Sequence, residues 1–398
     1  MVYKNCMLYD GTKVDIEIKE KTITKIANNI QSTELVDLKG AYIVPKIVDL
    51  HVKLKDGILN APNMKKLSKE ARKGGVGHMM IMPQTTPPID NEVTLEFAQN
   101  SIKEIKDIKI DIAINALQED LSLSNIAILL KKGATNPYMS TIAKNNIAIK
   151  VAEYVKMYNT TLFCKAEDNS LKSQGVMFDG DVSSKLGLAG IPELSEVVHV
   201  SRMIEIARYY GVKILFKSIA IPQSLEMIVK AKKEGVEVEA EVGLHHLLQS
   251  DTACEGFNTI AKIDPPLVDE SSRKKLIEAL KNDAIDMLSV LHQPNSPVNK
   301  EVAFFDASYG SSALSDAYGL YYTKLVKSGI ISMEKLIELC VANPLQTLGK
   351  EIPKLQEGQS SEEFLILDVE QSYKVDDSNS LYNGETIYGK VSYFEEVR

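Results

Sequence analysis

Six histidines are the first residues to question about chemistry: His51, His78, His199, His245, His246 and His292. Neutral imidazole is the commonest protein ligand for zinc, and a hydrolase that activates water on zinc gathers several of them at one mouth. Only one of the six has neighbours at a useful spacing. In Ile47-Val48-Asp49-Leu50-His51-Val52-Lys53-Leu54-Lys55-Asp56-Gly57 alternate residues of a strand share a face, so His51, Lys53 and Lys55 are expected to point the same way. A protonated lysine has no lone pair to give a metal. Its charge about 4 Å from a divalent ion is repulsive by roughly 8 kcal/mol at an effective dielectric of about 20. Lys53 and Lys165 could instead bind an anion or form Schiff bases, while the plainer reading pairs them with Glu167, Asp168 or Asp49. Cys164 beside Lys165 would need a lowered pKa to act as a nucleophile, and one strand position from Lys165 it points into a wall. His245 and His246 are adjacent and so face opposite ways on a strand. His292 is a candidate for ligand contact or for packing; His78 and His199 belong to no constellation. Gly74-Gly75-Val76-Gly77 precedes a strand instead of a helix, which makes a poor phosphate cradle.

The elements that must carry these residues follow from periodicity. Short apolar runs end near Asp49-Leu50-His51, Met80-Ile81-Met82, Ile112-Ala113-Ile114, Gly133-Ala134, Leu162-Phe163-Cys164, Ile214-Leu215-Phe216, Val238-Glu239-Ala240 and Leu288-Ser289-Val290. Amphipathic stretches at 64–73, 94–105, 142–158, 193–210, 223–234 and 271–281 separate them. That alternation predicts an α/β chain built as a (β/α)8 TIM-type barrel over 44–349, with reactive residues at the C-terminal ends of its strands. Alternating segments at both termini predict a small β-sandwich-like domain from 1–43 plus 350–398.

With 398 residues and 44% hydrophobic content, the chain can bury a large core. A net charge of -8 argues against general binding to nucleic acid or anionic membranes. Four cysteines scattered at 6, 164, 254 and 340 fit a reducing cytoplasm better than a disulfide framework. No apolar run approaches the roughly 18 residues of a membrane span.

Ordered motifs then carry a resemblance. The His51 segment resembles the D-x-H-V-H-L-R-x-P-G motif of the amidohydrolase superfamily, specifically of dihydroorotases. Met82-Pro83-Gln84-Thr85-Thr86-Pro87 is similar to M-P-N-T-x-P, and Lys165-Ala166-Glu167-Asp168-Asn169-Ser170-Leu171 to H-x-E-D-x-x-L. Leu186-Gly187-Leu188-Ala189-Gly190-Ile191-Pro192, Glu241-Val242-Gly243-Leu244-His245-His246-Leu247, Lys262-Ile263-Asp264-Pro265-Pro266-Leu267 and Val290-Leu291-His292-Gln293-Pro294-Asn295 continue the register. The resemblance implies zinc-assisted, reversible cyclisation of N-carbamoyl-aspartate to dihydroorotate in pyrimidine biosynthesis.

Position by position, however, the implied machinery is missing. His51 is the only retained ligand position. Lys53, Lys165 and Ser218 stand where the family has histidines, and Leu291 stands where it has the proton-shuttling aspartate. The substrate-binding positions are changed to Lys55, Gln84, Asp264 and Val268, leaving His292 as the remaining polar candidate. In the family, such departures mark non-catalytic subunits that accompany aspartate carbamoyltransferase. The expectation is therefore a pseudo-enzyme with a vestigial pocket, no cofactor, an oligomeric state and that carbamoyltransferase as partner. Two alternatives stay open: an active dihydroorotase with an altered metal centre, for instance through His51, His292 and Glu167, with zinc as its cofactor, and a regulatory protein that binds an anionic metabolite through Lys53, Lys55 and Lys165.

Overall fold

Apolar runs too short for helices become strands that are buried on both faces. In Ile47–Val52 every residue is buried, which is what a parallel strand covered by helices requires. The computed structural model describes residues 1–140 and 143–397. Its barrel strands are Ile47–Val52, Val76–Ile81, Lys109–Ile112, Pro137–Met139, Thr161–Lys165, Lys213–Lys217, Val238–Gly243 and Met287–Ser289. Each pairs in parallel with the next; a short extension of the third, Ile114–Asn115, makes the link to the fourth. The chain is thus an α/β protein with a (β/α)8 barrel.

Barrel closure between the eighth strand and the first runs through a side chain. Ser289 Oγ donates to Asp49 Oδ1 at 2.7 Å, Val290 N donates to Asp49 Oδ2 at 2.9 Å, and Lys53 N reaches the carbonyl of His292 at 2.9 Å. Asp49, fully buried, is spent on joining the barrel's ends and pairs with neither lysine.

The predicted helices lie at Ala61–Gly74, Glu92–Ile102, Asn145–Met157, Leu194–Tyr210, Pro222–Lys233 and Glu270–Lys281. Several starts are fixed by capping side chains: Asn60 accepts from Asn63 N, Asn91 from Val93 N and Thr94 N, and Asp269 from Ser272 N. Ile142, where one helix was expected to begin, lies outside the described residues, as does Arg398. The fourth strand is displaced from Gly133-Ala134 to Pro137–Met139. Gly133, at φ 96°, belongs to the turn that closes the preceding helix, and the strand itself follows the polar Thr135-Asn136 and opens on a proline.

Both termini build one mixed seven-stranded sheet, in which Phe364–Lys374 lies between Thr386–Ser392 and Tyr42–Pro45, while Val2–Leu8 leads on to Lys13–Lys19 and Thr22–Ala27. The expected sandwich-like domain is therefore a single hydrogen-bonded sheet. It covers its own core of Tyr3, Cys6, Ile16, Ile23, Ile43 and Phe364. Leu365 and Leu367 instead belong to the barrel's core. No helix among the described residues is long and apolar enough to cross a membrane.

Candidate functional site

The C-terminal ends of the strands gather two polar clusters, one inside the barrel and one at its mouth. At the centre, Lys217 ends the strand Lys213–Lys217 and is 1% exposed. Its ammonium is ion-paired to Glu241 Oε2 and donates to the carbonyl of Leu50 at 3.0 Å. The other oxygen of Glu241 lies 2.8 Å from His51 Nδ1, and Ser218 Oγ lies 2.9 Å from the same nitrogen. Burial alone would raise the Glu241 carboxyl, but Lys217 and His51 hold it at about 2. Burial pushes His51 down to about 4 against the pull of Glu241, so its ring is neutral and donates its Nδ1–H as a hydrogen bond to the carboxylate. The cluster is a closed donor–acceptor set: ammonium, carboxylate, imidazole, hydroxyl.

At the mouth, lysines outnumber carboxylates. Lys165 Nζ lies 2.6 Å from Asp264 Oδ2 and 3.2 Å from Glu167 Oε1, and Lys172 Nζ lies 3.0 Å from Glu167 Oε2. Burial would lower Lys165, but Asp264 and Glu167 hold it well above the usual lysine range. Asp264, which burial would raise, is brought well below the carboxylate range by Lys165 and Lys53. Lys53 donates to the neutral side chain of Gln293 at 2.9 Å. Burial, with Lys165 nearby, lowers it to about 8 despite Asp264.

The residues singled out from the sequence are thus distributed between different tasks. His51 and Ser218 meet in the central cluster; Lys165 and Asp264 meet at the mouth. Lys165 meets the expected Glu167 and, beyond it, Asp264. The other expected partners are corrected: Lys53 takes an amide, and Asp168 caps a short helix by accepting from Ser170 N at 2.9 Å. Lys55 sits in the turn Lys55–Gly57, partly exposed, and no bond joins it to Lys53 or Lys165. Gln84 keeps its side-chain oxygen buried without a hydrogen bond. Leu291, at φ 51°, packs with Val176, Met177 and Phe304. His292 Nδ1 accepts from Ala313 N and Leu314 N at 3.3 Å each, and its Nε2 faces Glu70 at 3.5 Å. His51, His292 and Glu167 therefore do not converge. His245 meets Tyr382 Oη at 2.9 Å, His246 meets the carbonyl of Pro265 at 3.0 Å, and His199 meets Cys164 Sγ at 3.5 Å. Burial raises the Cys164 thiol to about 12, which removes it as a nucleophile.

Lys217 was not anticipated at all, and Glu241 was noted only within a motif. The available signal was a lysine closing the apolar Ile214-Leu215-Phe216, two residues on from a buried position and next to Ser218. Beside the mouth, a cavity of about 30 Å³ lined by Glu167, Ser195, Glu196, Ala220 and Pro265 has room for a water.

The sequence model of the Dihydro-orotase-like family matches residues 40–222. A dihydroorotase of Elusimicrobium minutum is 34% identical over 96% of this chain and 92% of its own length. One of Caldanaerobacter subterraneus is 31% identical over 99% of this chain and 95% of its own. Among solved structures, L-hydantoinase (dihydropyrimidinase) from Arthrobacter aurescens superposes with a TM-score of 0.81 at 22% identity, over 98% of this chain and 93% of that one, a likeness of fold. These relatives overturn the expectation that no cofactor belongs to this chain: zinc is what the dihydroorotase resemblance attaches to the barrel mouth. Among the described residues no group of three His, Cys, Asp or Glu converges as a ligand set. Glu241 takes only Nδ1 of His51, so its Nε2 lone pair stays available. No second His, Cys, Asp or Glu ligand set joins it among the described residues, and Lys53 and Lys217 stand close enough to depress His51 further. These residues do not fit a zinc centre of the family's kind.

Proposed function

The chain belongs to the dihydroorotase-like family of the amidohydrolase superfamily, and from that premise we propose that it does not hydrolyse cyclic amides but serves pyrimidine biosynthesis as a non-catalytic subunit or stabiliser of aspartate carbamoyltransferase. Hydrolysis of a cyclic amide needs an activated water and a group that returns a proton to the leaving nitrogen. The observation that carries the proposal is the closed cluster of Lys217, Glu241, His51 and Ser218. Its carboxylate is held ionised between two donors, so it is a poor base, and its neutral imidazole spends the Nδ1–H on a hydrogen bond to that carboxylate. Leu291, at the position the resemblance gives to the proton shuttle, has no titratable atom. Lys165 is committed to Asp264 and Glu167, whereas Lys53 meets only the neutral amide of Gln293. The partner rests on the family resemblance.

Two assays test the two halves separately. Purified chain, supplied with zinc, should turn over dihydroorotate no faster than buffer; turnover at any rate proportional to protein concentration would sink the non-catalytic half. Mixed with the aspartate carbamoyltransferase of the same organism, it should co-elute in size exclusion and raise that enzyme's activity or thermal midpoint. Separate elution with unchanged activity would sink the partner half.

A further inference from the structure

The water-sized cavity beside the mouth shares Phe178, Pro192 and Glu193 with a larger open pocket of about 630 Å³, a volume within the range of small-molecule sites. Six carboxylates line this pocket, those of Asp179, Asp181, Glu193, Asp251, Asp269 and Glu270, and no lysine, arginine or histidine does. Glu270 pairs with Arg273 at 2.6 Å, and Asp269 caps the helix Glu270–Lys281. Among the described residues Asp179, Asp181, Glu193 and Asp251 make no ion pair. Asp251 is 3% exposed, and no side chain donates to its carboxylate. Burial first, then Asp269 and Asp181, raise it above the ordinary carboxylate value, with the backbone of Thr252 in opposition. Its Oδ2 is turned toward Gly180 on the pocket wall, 3.9 Å from where a Cβ there would lie. A buried carboxylate without a counter-charge is costly, and neighbours of the same sign add to the cost. The pocket thus holds negative charge that a bound cation compensates.

Two features select the kind of cation. Among the described residues no three of these side chains converge as a metal-ligand set, so a bare divalent ion finds the carboxylates too dispersed to replace its water shell. Phe178, Val182 and Pro192 add apolar surface to the same lining. Methylene chains lie well on such surface, and an aromatic ring also attracts an ammonium. We propose that this pocket binds an aliphatic polyamine, with its ammonium groups on Asp251, Asp181 and the neighbouring carboxylates and its methylenes on Phe178, Val182 and Pro192. A site of this kind needs neither hydrolysis nor a carbamoyltransferase, so it stands or falls apart from the function proposed above.

The test is calorimetric titration of the full chain with spermidine, at about 0.15 M salt so that weak surface attraction is screened. One spermidine should bind per chain, and Asp251→Asn and Asp181→Asn should each weaken it roughly tenfold or more. Asp181 is exposed, so its variant probes the pocket without disturbing the core. Asp251→Asn removes an uncompensated charge, so without spermidine its thermal midpoint should equal or exceed that of the unmodified chain; a lower midpoint would show that the carboxylate is compensated within the protein and would overturn the proposal. Absence of binding at millimolar spermidine overturns it as well, as does binding that both variants retain, which places the polyamine elsewhere on an acidic chain. Tighter binding of Mg²⁺ or Ca²⁺ than of spermidine, lost in the same variants, makes the pocket a metal site and overturns the polyamine assignment.

Discussion

Replacing Lys217 by methionine would leave the Glu241 carboxylate buried with only His51 and Ser218 beside it. Removing one member of a buried pair costs far more than removing both, because the remaining charge loses its compensation. Lys217→Met should therefore lower unfolding free energy by about 3–5 kcal/mol, and Lys217→Met/Glu241→Met should recover most of that loss. Urea unfolding of the three proteins checks it; equal destabilisation by the single and double variants would contradict the pairing. The single amino acids at this scale were readable in part. That Lys53 and Lys165 cannot act as neutral imidazoles follows from side-chain chemistry. Which carboxylate each lysine would take does not, because Asp264 and Gln293 are brought to the mouth by loops far away in the chain.

At the scale of elements, the helix Ala61–Gly74 ends against the segment Leu314–Asp316, and a Cβ at Gly74 would lie 1.8 Å from the carbonyl oxygen of Leu314. Gly74→Ala forces that backbone apart and should cost about 1–3 kcal/mol or more; a thermal midpoint within about 2 °C of the unmodified protein would refute the close approach. His245 and His246 lie on the short helix Leu244–Leu248 and not on the strand expected for them, and burial lowers them to about 3 and about 4, as it lowers His199 on the helix Leu194–Tyr210 to about 4, against an ordinary value of 6.5. The unfolded chain takes up these protons near pH 6.5, whereas the folded chain does so only near pH 4 and below. Stability is thus fully present above pH 6.5 and drains away as pH falls toward 4, by up to roughly 3 kcal/mol for each histidine. The urea midpoint should be level above about pH 7 and fall steeply below about pH 6. A midpoint unchanged between pH 7.5 and 4.5 would show that these groups are not held neutral. The helices were legible because their apolar periods exceed two turns, and most strands because they lie in apolar runs. Length did not decide it, since Met287–Ser289 is as short as Pro137–Met139. The former lies in the apolar Met287-Leu288-Ser289-Val290-Leu291, whereas the latter follows the polar Thr135-Asn136 and opens on a proline.

For the whole molecule, barrel and terminal sheet share structure: Phe364–Lys374 pairs with Tyr42–Pro45, Leu365 and Leu367 enter the barrel core, and the Tyr382 hydroxyl bonds His245. A chain cut after Glu363 should therefore lose cooperative unfolding by circular dichroism, instead of leaving an intact barrel; a cooperative transition would show the barrel to be independent. The sequence by itself determined the barrel, the β character of both ends, the family and the absence of imidazole at positions such as Lys53 and Lys165, because period and side-chain chemistry are local properties. Only the tertiary structure decided what fills the centre. Lys217, Glu241 and His51 come from three different strands, and in a closed barrel the inward positions of distant strands become neighbours. Their proximity, and with it the balance between burial and ion pairing, exists only once the ring of strands is complete.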